Sequence, residues 1–240
     1  MNKVARVIWN ELVPQSPVFA TSAVTRRAGV SLANASRDLR NLQAHGVVTR
    51  IRRGLWAVPN HPEFSPYAVV PHLFGVRERG YVSLLSALSL HGMMEQIPHI
   101  VHLVTTSQRP VLRTPVATYA FYRIERKLFG GFTPYRRTGN FEIATPEKAF
   151  FDTLYFSVRK GRRFAFLPEI ELSTGFSYSE VERWIGQVSH APLRTAVRFR
   201  WEAFVSRVDP RTPRVGRDAR GRRAAPESQR ARTRARLHLT

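Results

Sequence analysis

Residues 21–58 carry two short helix patterns parted by one glycine and followed at once by a strand pattern that turns back on itself, and few folds accommodate that order. In TSAVTRRAGVSLANASRDLRNLQAHG, Thr21 or Ser22 is placed to cap a first helix that ends at Gly29, and Ser31 to cap a second a few residues later. Leu32, Ala35, Leu39 and Leu42 recur at i, i+3, i+7 and i+10, so at ~100° per residue they share one face and are expected in the core. The next segment, VVTRIRRGLWAVP, sets the strand formers Ile51, Leu55, Trp56 and Val58 around Arg53-Gly54, whose glycine supplies the positive φ of a tight hairpin turn. Helix, turn, helix and hairpin in this order predict a winged helix-turn-helix. Upstream, Val4, Val7, Ile8 and Leu12, stopped by Pro14, predict a leading helix over residues Asn2 to Val13.

The polar side of the second helix has its own chemistry. Ala33, Arg37, Arg40 and Asn41 lie opposite the apolar stripe, with Asn34 at its edge. Arginine and asparagine match guanine and adenine edges in a major groove, and a small residue such as Ala33 lets the helix approach. Arg50, Arg52 and Arg53 crowd the hairpin bend, where mutual repulsion is relieved by a polyanion, so phosphate or minor-groove contacts are expected there. Arg26 and Arg27 on the first helix are expected to meet DNA backbone. Double-stranded DNA is therefore the partner these residues suggest.

Charge divides the chain further. Its 38 Lys and Arg against 17 Asp and Glu give a net charge of +21, which favours polyanionic partners. Residues 1–59 carry +7, residues 60–205 a milder +6, and residues 206–240 +8 from 11 arginines with few large apolar residues. The last segment predicts a disordered basic tail. PNHPEFSP, rich in proline and without apolar periodicity, marks a linker over residues 60–66. The absence of cysteine removes disulfides and thiolate metal sites, the eight histidines show no metal-ligand spacing, and no cofactor is expected. With Arg6 and Glu11 breaking the first apolar stretch and no run of ~18 apolar residues, neither a signal peptide nor a membrane span is expected, and the chain is expected in the cytoplasm.

Beyond the linker, Ser83 is placed to cap a helix with Leu84, Ala87, Leu88 and His91 on one face and Gly92 at its end. IVHLVTT and VATYAFYRI read as strands joined by the loop SQRPVLRTP. In FEIATPEKAFFDTLYF a strand from Phe141 to Ala144 leads to Thr145 as N-cap, Pro146 at the first helical position and Glu147 where the helix dipole favours an acid; Phe150, Phe151, Leu154 and Tyr155 carry that helix into the core. SYSEVERWIGQVS and PLRTAVRFRWEAFV, with Trp184 and Trp201, read as a closing helical pair. The expected fold is α+β: a winged helix-turn-helix domain (1–59), a linker (60–66), a mixed α+β domain (67–205) and a tail (206–240).

RRGLWAVP, YVSLLSALSLHG, HLVTT and IATPEKAFFDTLY, in this order and spacing over roughly residues 3–205, resemble the AbiEi family, the antitoxin and transcriptional-regulator component of type IV toxin–antitoxin systems. The resemblance implies an N-terminal domain that represses its own promoter at inverted repeats. It also implies a C-terminal domain that antagonises a nucleotidyltransferase toxin without forming a stable complex with it. Two other readings remain open. One is a winged-helix regulator whose second domain binds a ligand, with His91 and His102 as possible contacts, or dimerises. The other is a nuclease or nucleotidyltransferase built on Glu142, Glu147, Lys148 and Asp152. The five-residue step from Glu147 to Asp152 turns those carboxylates apart on a helix, and no nucleotidyltransferase signature, phosphate-binding loop or nucleophile elbow appears, so no catalytic residue is assigned.

Overall fold

A computed structural model describes residues 3–75, 78–137, 140–159 and 168–208 as a mixed α+β protein. The chain divides into two compact units, residues 1–189 and residues 190–240. The boundary expected at residues 60–66 falls inside the first unit.

The first unit begins with α1 (Lys3–Val7), which widens into a π-helical turn at Ile8–Leu12, so the leading helix is present but not uniformly α. It continues through β1 (Val18–Ala20), α2 (Thr21–Ala28), α3 (Leu32–Ala44), β2 (Thr49–Arg52) and β3 (Leu55–Ala57). The three strands form an antiparallel sheet in the order β1-β3-β2, with a register irregularity between Arg50 and Arg52. Val4, Ile8, Leu12, Phe19, Val24, Ala28, Ala35, Leu39, Val48 and Trp56 bury one common core. At roughly 1.5–3 kcal/mol for each large apolar side chain fully buried, this core holds the small sheet and three helices together.

The residues expected to link two domains are fastened down. His61 and Phe64 donate backbone bonds to Val58 and His61. Ser65 caps a 3₁₀ helix over Pro66–His72, and the Tyr119 hydroxyl donates to the Pro66 carbonyl at 2.8 Å. The prolines restrict the chain while these bonds satisfy the backbone groups that remain, so the segment is an ordered connector rather than a spacer.

A six-stranded sheet follows, formed by β4 (Gly80–Val82), β5 (Ile100–Thr105), β6 (Leu112–Arg113), β7 (Thr118–Arg123), β8 (Phe132–Tyr135) and β9 (Phe141–Ala144) in the order β6-β7-β5-β4-β9-β8. The pairs β5/β7 and β4/β9 are parallel and the remaining pairs antiparallel. α4 (Leu84–Leu90), α5 (Pro146–Ser157) and α6 (Tyr178–Gly186) complete this part, and every residue of α5 from Lys148 to Ser157 is buried. Leu84 enters α4 at φ 51, a left-handed conformation that costs about 1–2 kcal/mol for a bulky residue and is offset by complete burial of its side chain.

In the second unit, α7 (Ala191–Val208) buries Val197, Trp201 and Phe204. Ser206 to Val208, expected in the tail, continue this helix; the rest of that tail lies outside the described residues. No helix among the described residues is long and apolar enough to cross a membrane.

Candidate nucleic-acid interface

α3 is positioned by the turn that leads into it. Gly29 ends α2 at φ 59, a left-handed C-cap whose N–H donates to the Thr25 carbonyl. Two residues later the Ser31 hydroxyl accepts from the Asn34 N–H at 3.2 Å, as expected of an N-cap. The cap of α2 differs from expectation. Ala20 occupies that position, and the Thr21 hydroxyl instead accepts from the Trp56 indole N–H at 2.9 Å, tying α2 to β3.

With Ala35 and Leu39 fully buried and Leu42 half-buried, α3 turns Ala33, Asn34, Arg37, Arg40 and Asn41 outward. Arg37 is 67% exposed and only 3.8 Å from its chain neighbour Asp38, while Arg40 Nε donates to the Ser36 carbonyl at 3.2 Å. Both guanidiniums retain most of their donors for another partner. Leu32, expected in the core, is 65% exposed. It occupies the first helical position, where the side chain leans back past the end of the helix and away from the packed turns.

The basic residues around α3 divide by partner. Arg26, Arg50 and Arg53 are exposed and their side chains make no hydrogen bond or ion pair among the described residues. Arg27 reaches Glu11 at 3.6 Å and the Gln15 amide oxygen at 3.4 Å, clasping α2 to the leading helix. Arg52 donates to the His72 carbonyl at 2.5 Å, which fixes the hairpin to the connector. Gly54 takes φ 77 at the hairpin turn, and its carbonyl accepts from the Thr21 N–H at 2.9 Å. The hairpin is thus pinned to α2 as well as to the connector, leaving Arg50 and Arg53 projecting from a fixed support.

The carboxylates considered for catalysis do not meet in one place. Glu142 lies 3.9 Å from Arg79, and Glu147 accepts from the Ser177 N–H at 3.0 Å at the start of α6. Asp152 is sealed inside, paired with Lys148 and accepting from the hydroxyls of Tyr81 at 3.0 Å and Ser83 at 2.7 Å. Ser83 therefore spends its hydroxyl on Asp152 rather than on capping α4. Burial raises the carboxyl pKa of Asp152 and lowers that of the Lys148 ammonium, each opposed by the other's charge. The rings of Tyr81, Phe151 and Trp184 stand 4.9–5.5 Å from the ammonium. Sequence reasoning weighed these two residues only within the disfavoured nuclease or nucleotidyltransferase reading; their i,i+4 spacing was the signal for a helical ion pair. No group of histidines and carboxylates suited to a metal ion occurs among the described residues.

His91 and His102 are likewise engaged inside the fold. His91 Nε2 is 2.7 Å from the Ala144 carbonyl, and His102 Nδ1 is 3.0 Å from the Ser86 hydroxyl. Burial lowers the His102 pKa to about 4, so its imidazole is neutral at neutral pH.

No family model matches the chain, and no curated protein matches it. Among solved structures it is similar to the crystal structure of the RV2827C protein from Mycobacterium tuberculosis, with a TM-score of 0.60 and 14% identity over 85% of this chain and 76% of that one. At that identity the likeness concerns the fold alone.

Proposed function

We propose that this chain is a cytoplasmic, non-enzymatic DNA-binding regulator whose first 59 residues act as a winged helix-turn-helix. α3 is the recognition helix and β2–β3 the wing. The observation that carries the reading is the outward set Asn34, Arg37, Arg40 and Asn41 on a helix capped at Ser31 and packed through Ala35 and Leu39. Such side chains read base edges, while Arg26, Arg50 and Arg53 neutralise phosphates beside them. Arg27 and Arg52 act as struts that hold α2 and the wing in place, a narrower role than direct DNA contact.

The AbiEi resemblance extends this to an antitoxin and autorepressor of a type IV toxin–antitoxin system, binding inverted repeats in its own promoter and opposing a nucleotidyltransferase toxin without a stable complex. The order of the segments RRGLWAVP, YVSLLSALSLHG and IATPEKAFFDTLY supports it. Two experiments test the two halves. The purified chain is expected to retard DNA from upstream of its own gene at protein concentrations that leave scrambled DNA free; equal retardation of both counts against promoter repression. Co-expression is expected to restore growth to cells carrying a neighbouring nucleotidyltransferase toxin without the two co-purifying, and failure to restore growth counts against antitoxicity.

A further inference from the structure

A concavity of about 830 Å³ opens at the carboxyl ends of the parallel strands β5 and β7. Its volume falls in the range of small-molecule sites, ~300–1,000 Å³, and the carboxyl ends of parallel strands are where diverging loops leave room for a ligand. Thr106 and Gln108 follow β5, Arg123 ends β7 with Glu125 and Arg126 just beyond it, and Arg159 follows α5. DNA binding by α3 and the hairpin uses none of these residues.

Three arginines line this space against one glutamate, whose carboxylate is already hydrogen-bonded. Glu125 accepts from the Tyr155 hydroxyl and from the Ser189 hydroxyl, each at 3.2 Å. Burial pushes the Tyr155 phenol up to about 12, so it stays a neutral donor. Arg159 is preorganised: it donates to the Arg123 carbonyl at 3.1 Å, and its guanidinium stands 5.3 Å and 5.8 Å from the rings of Tyr155 and Phe156. The side chains of Arg123 and Arg126 are exposed and make no hydrogen bond or ion pair among the described residues. Holding three like charges around one hollow costs repulsion that an anion removes, and the planar fork of arginine matches phosphate oxygens.

We propose that this concavity binds a nucleotide, its phosphate held by Arg123, Arg126 and Arg159 and the rest of the molecule reaching Gln108 and Thr106. A free phosphate would leave most of the space empty, whereas the Gln108 amide offers both donors and an acceptor to the edge of a heterocycle or to ribose hydroxyls. The assignment does not rest on the DNA reading.

The test is calorimetric titration of the full chain with AMP, adenosine and inorganic phosphate, repeated on Arg123→Ala/Arg126→Ala. The arginines beyond residue 208 are present in both proteins, so the difference between them isolates the concavity. AMP is expected to bind, adenosine and inorganic phosphate at least about tenfold more weakly, and the double variant is expected to lose about tenfold or more in AMP affinity, the scale of one or two charge-assisted hydrogen bonds. Arg126→Glu, a single change at an exposed position, is expected to act in the same direction and serves if the double variant unfolds early. Absence of AMP binding, equal binding of adenosine, or AMP affinity unchanged in the variants would overturn the proposal. Inorganic phosphate binding as tightly as AMP would overturn the nucleotide assignment in favour of free phosphate.

Discussion

Lys148 and Arg37 are both basic residues on helices, each with an aspartate close by in sequence, and the two parts of the first unit treat them in opposite ways. On α5, Lys148 and Asp152 are fully buried and paired; the hydroxyls of Tyr81 and Ser83 donate to the carboxylate, and aromatic rings enclose the ammonium. On α3, Arg37 sits 3.8 Å from Asp38 with most of its surface in solvent. A pair sealed away from solvent is a structural element that no ligand reaches, whereas exposed guanidiniums with spare donors suit an external anion. Charge alone therefore does not mark a functional site here. Whether the partner is already inside the fold does.

The contrast breaks most visibly at Lys148. Lys148→Met is expected to strand Asp152 in the core and cost about 3–5 kcal/mol in denaturant unfolding, whereas Lys148→Met/Asp152→Asn, which removes both charges and keeps an acceptor for Tyr81 and Ser83, is expected to recover much of that loss. A double variant as unstable as the single one would mean that the ion pair itself, rather than its satisfaction, holds α5 in place.

His102 sharpens the same contrast through pH. Its pKa is lowered from 6.5 to about 4 because it is buried. Between those values the unfolded chain binds a proton that the folded chain refuses, so stability is present above the unfolded value and is lost as pH falls through that window, by an amount on the order of 3 kcal/mol. Unfolding measured from about pH 7.5, roughly one unit above an ordinary His pKa of ~6.5, down to about pH 4, where the folded chain takes up the proton, is expected to show a slope that flattens in His102→Gln. An unchanged slope would place the lost stability on other groups.

Smaller effects are expected where a surface arginine works as a strut. Arg27→Ala is expected to lower stability by at most about 1 kcal/mol, because its contacts with Glu11 and Gln15 are half exposed, and to leave the DNA salt dependence nearly unchanged. Arg53→Ala is expected to reduce the salt slope of DNA binding by about one, and Arg52→Ala by less, since Arg52 is already engaged by the His72 carbonyl. Equal slopes for the two would show that the His72 contact yields to DNA.

Much of the first sixty residues was legible because their order is local. Gly29, Ser31 and Gly54 act at the turns where their chemistry placed them. Leu32 was not, since helical periodicity assigns a face but says nothing of where the packed surface ends along the axis. In the larger sheet, β8 was missed because Pro134 argues against a strand; at the sheet edge a residue without an N–H costs no ladder bond on its open side. β6 lies within the segment read as a loop, and β4 covers three residues next to the helix that masked it. Partners for Arg27 and Arg52 come from 16 and 20 residues away, beyond any local pattern. The arginines of the concavity were signalled only by basic residues clustered directly after a strand, as in RIERK, a pattern that solvated loops share.

The most direct test of recognition by the outward face of α3 is a titration of the wild type, Arg37→Ala, Arg40→Ala and Arg50→Ala/Arg53→Ala against promoter and scrambled DNA at several salt concentrations, with folding checked by circular dichroism. The helix variants are expected to lose about 1–3 kcal/mol of preference for the promoter while binding scrambled DNA nearly as before, and the hairpin variant to weaken on both DNAs with a salt slope lower by about two. Full discrimination retained by both helix variants, with discrimination lost in the hairpin variant, would contradict the assignment of base recognition to α3.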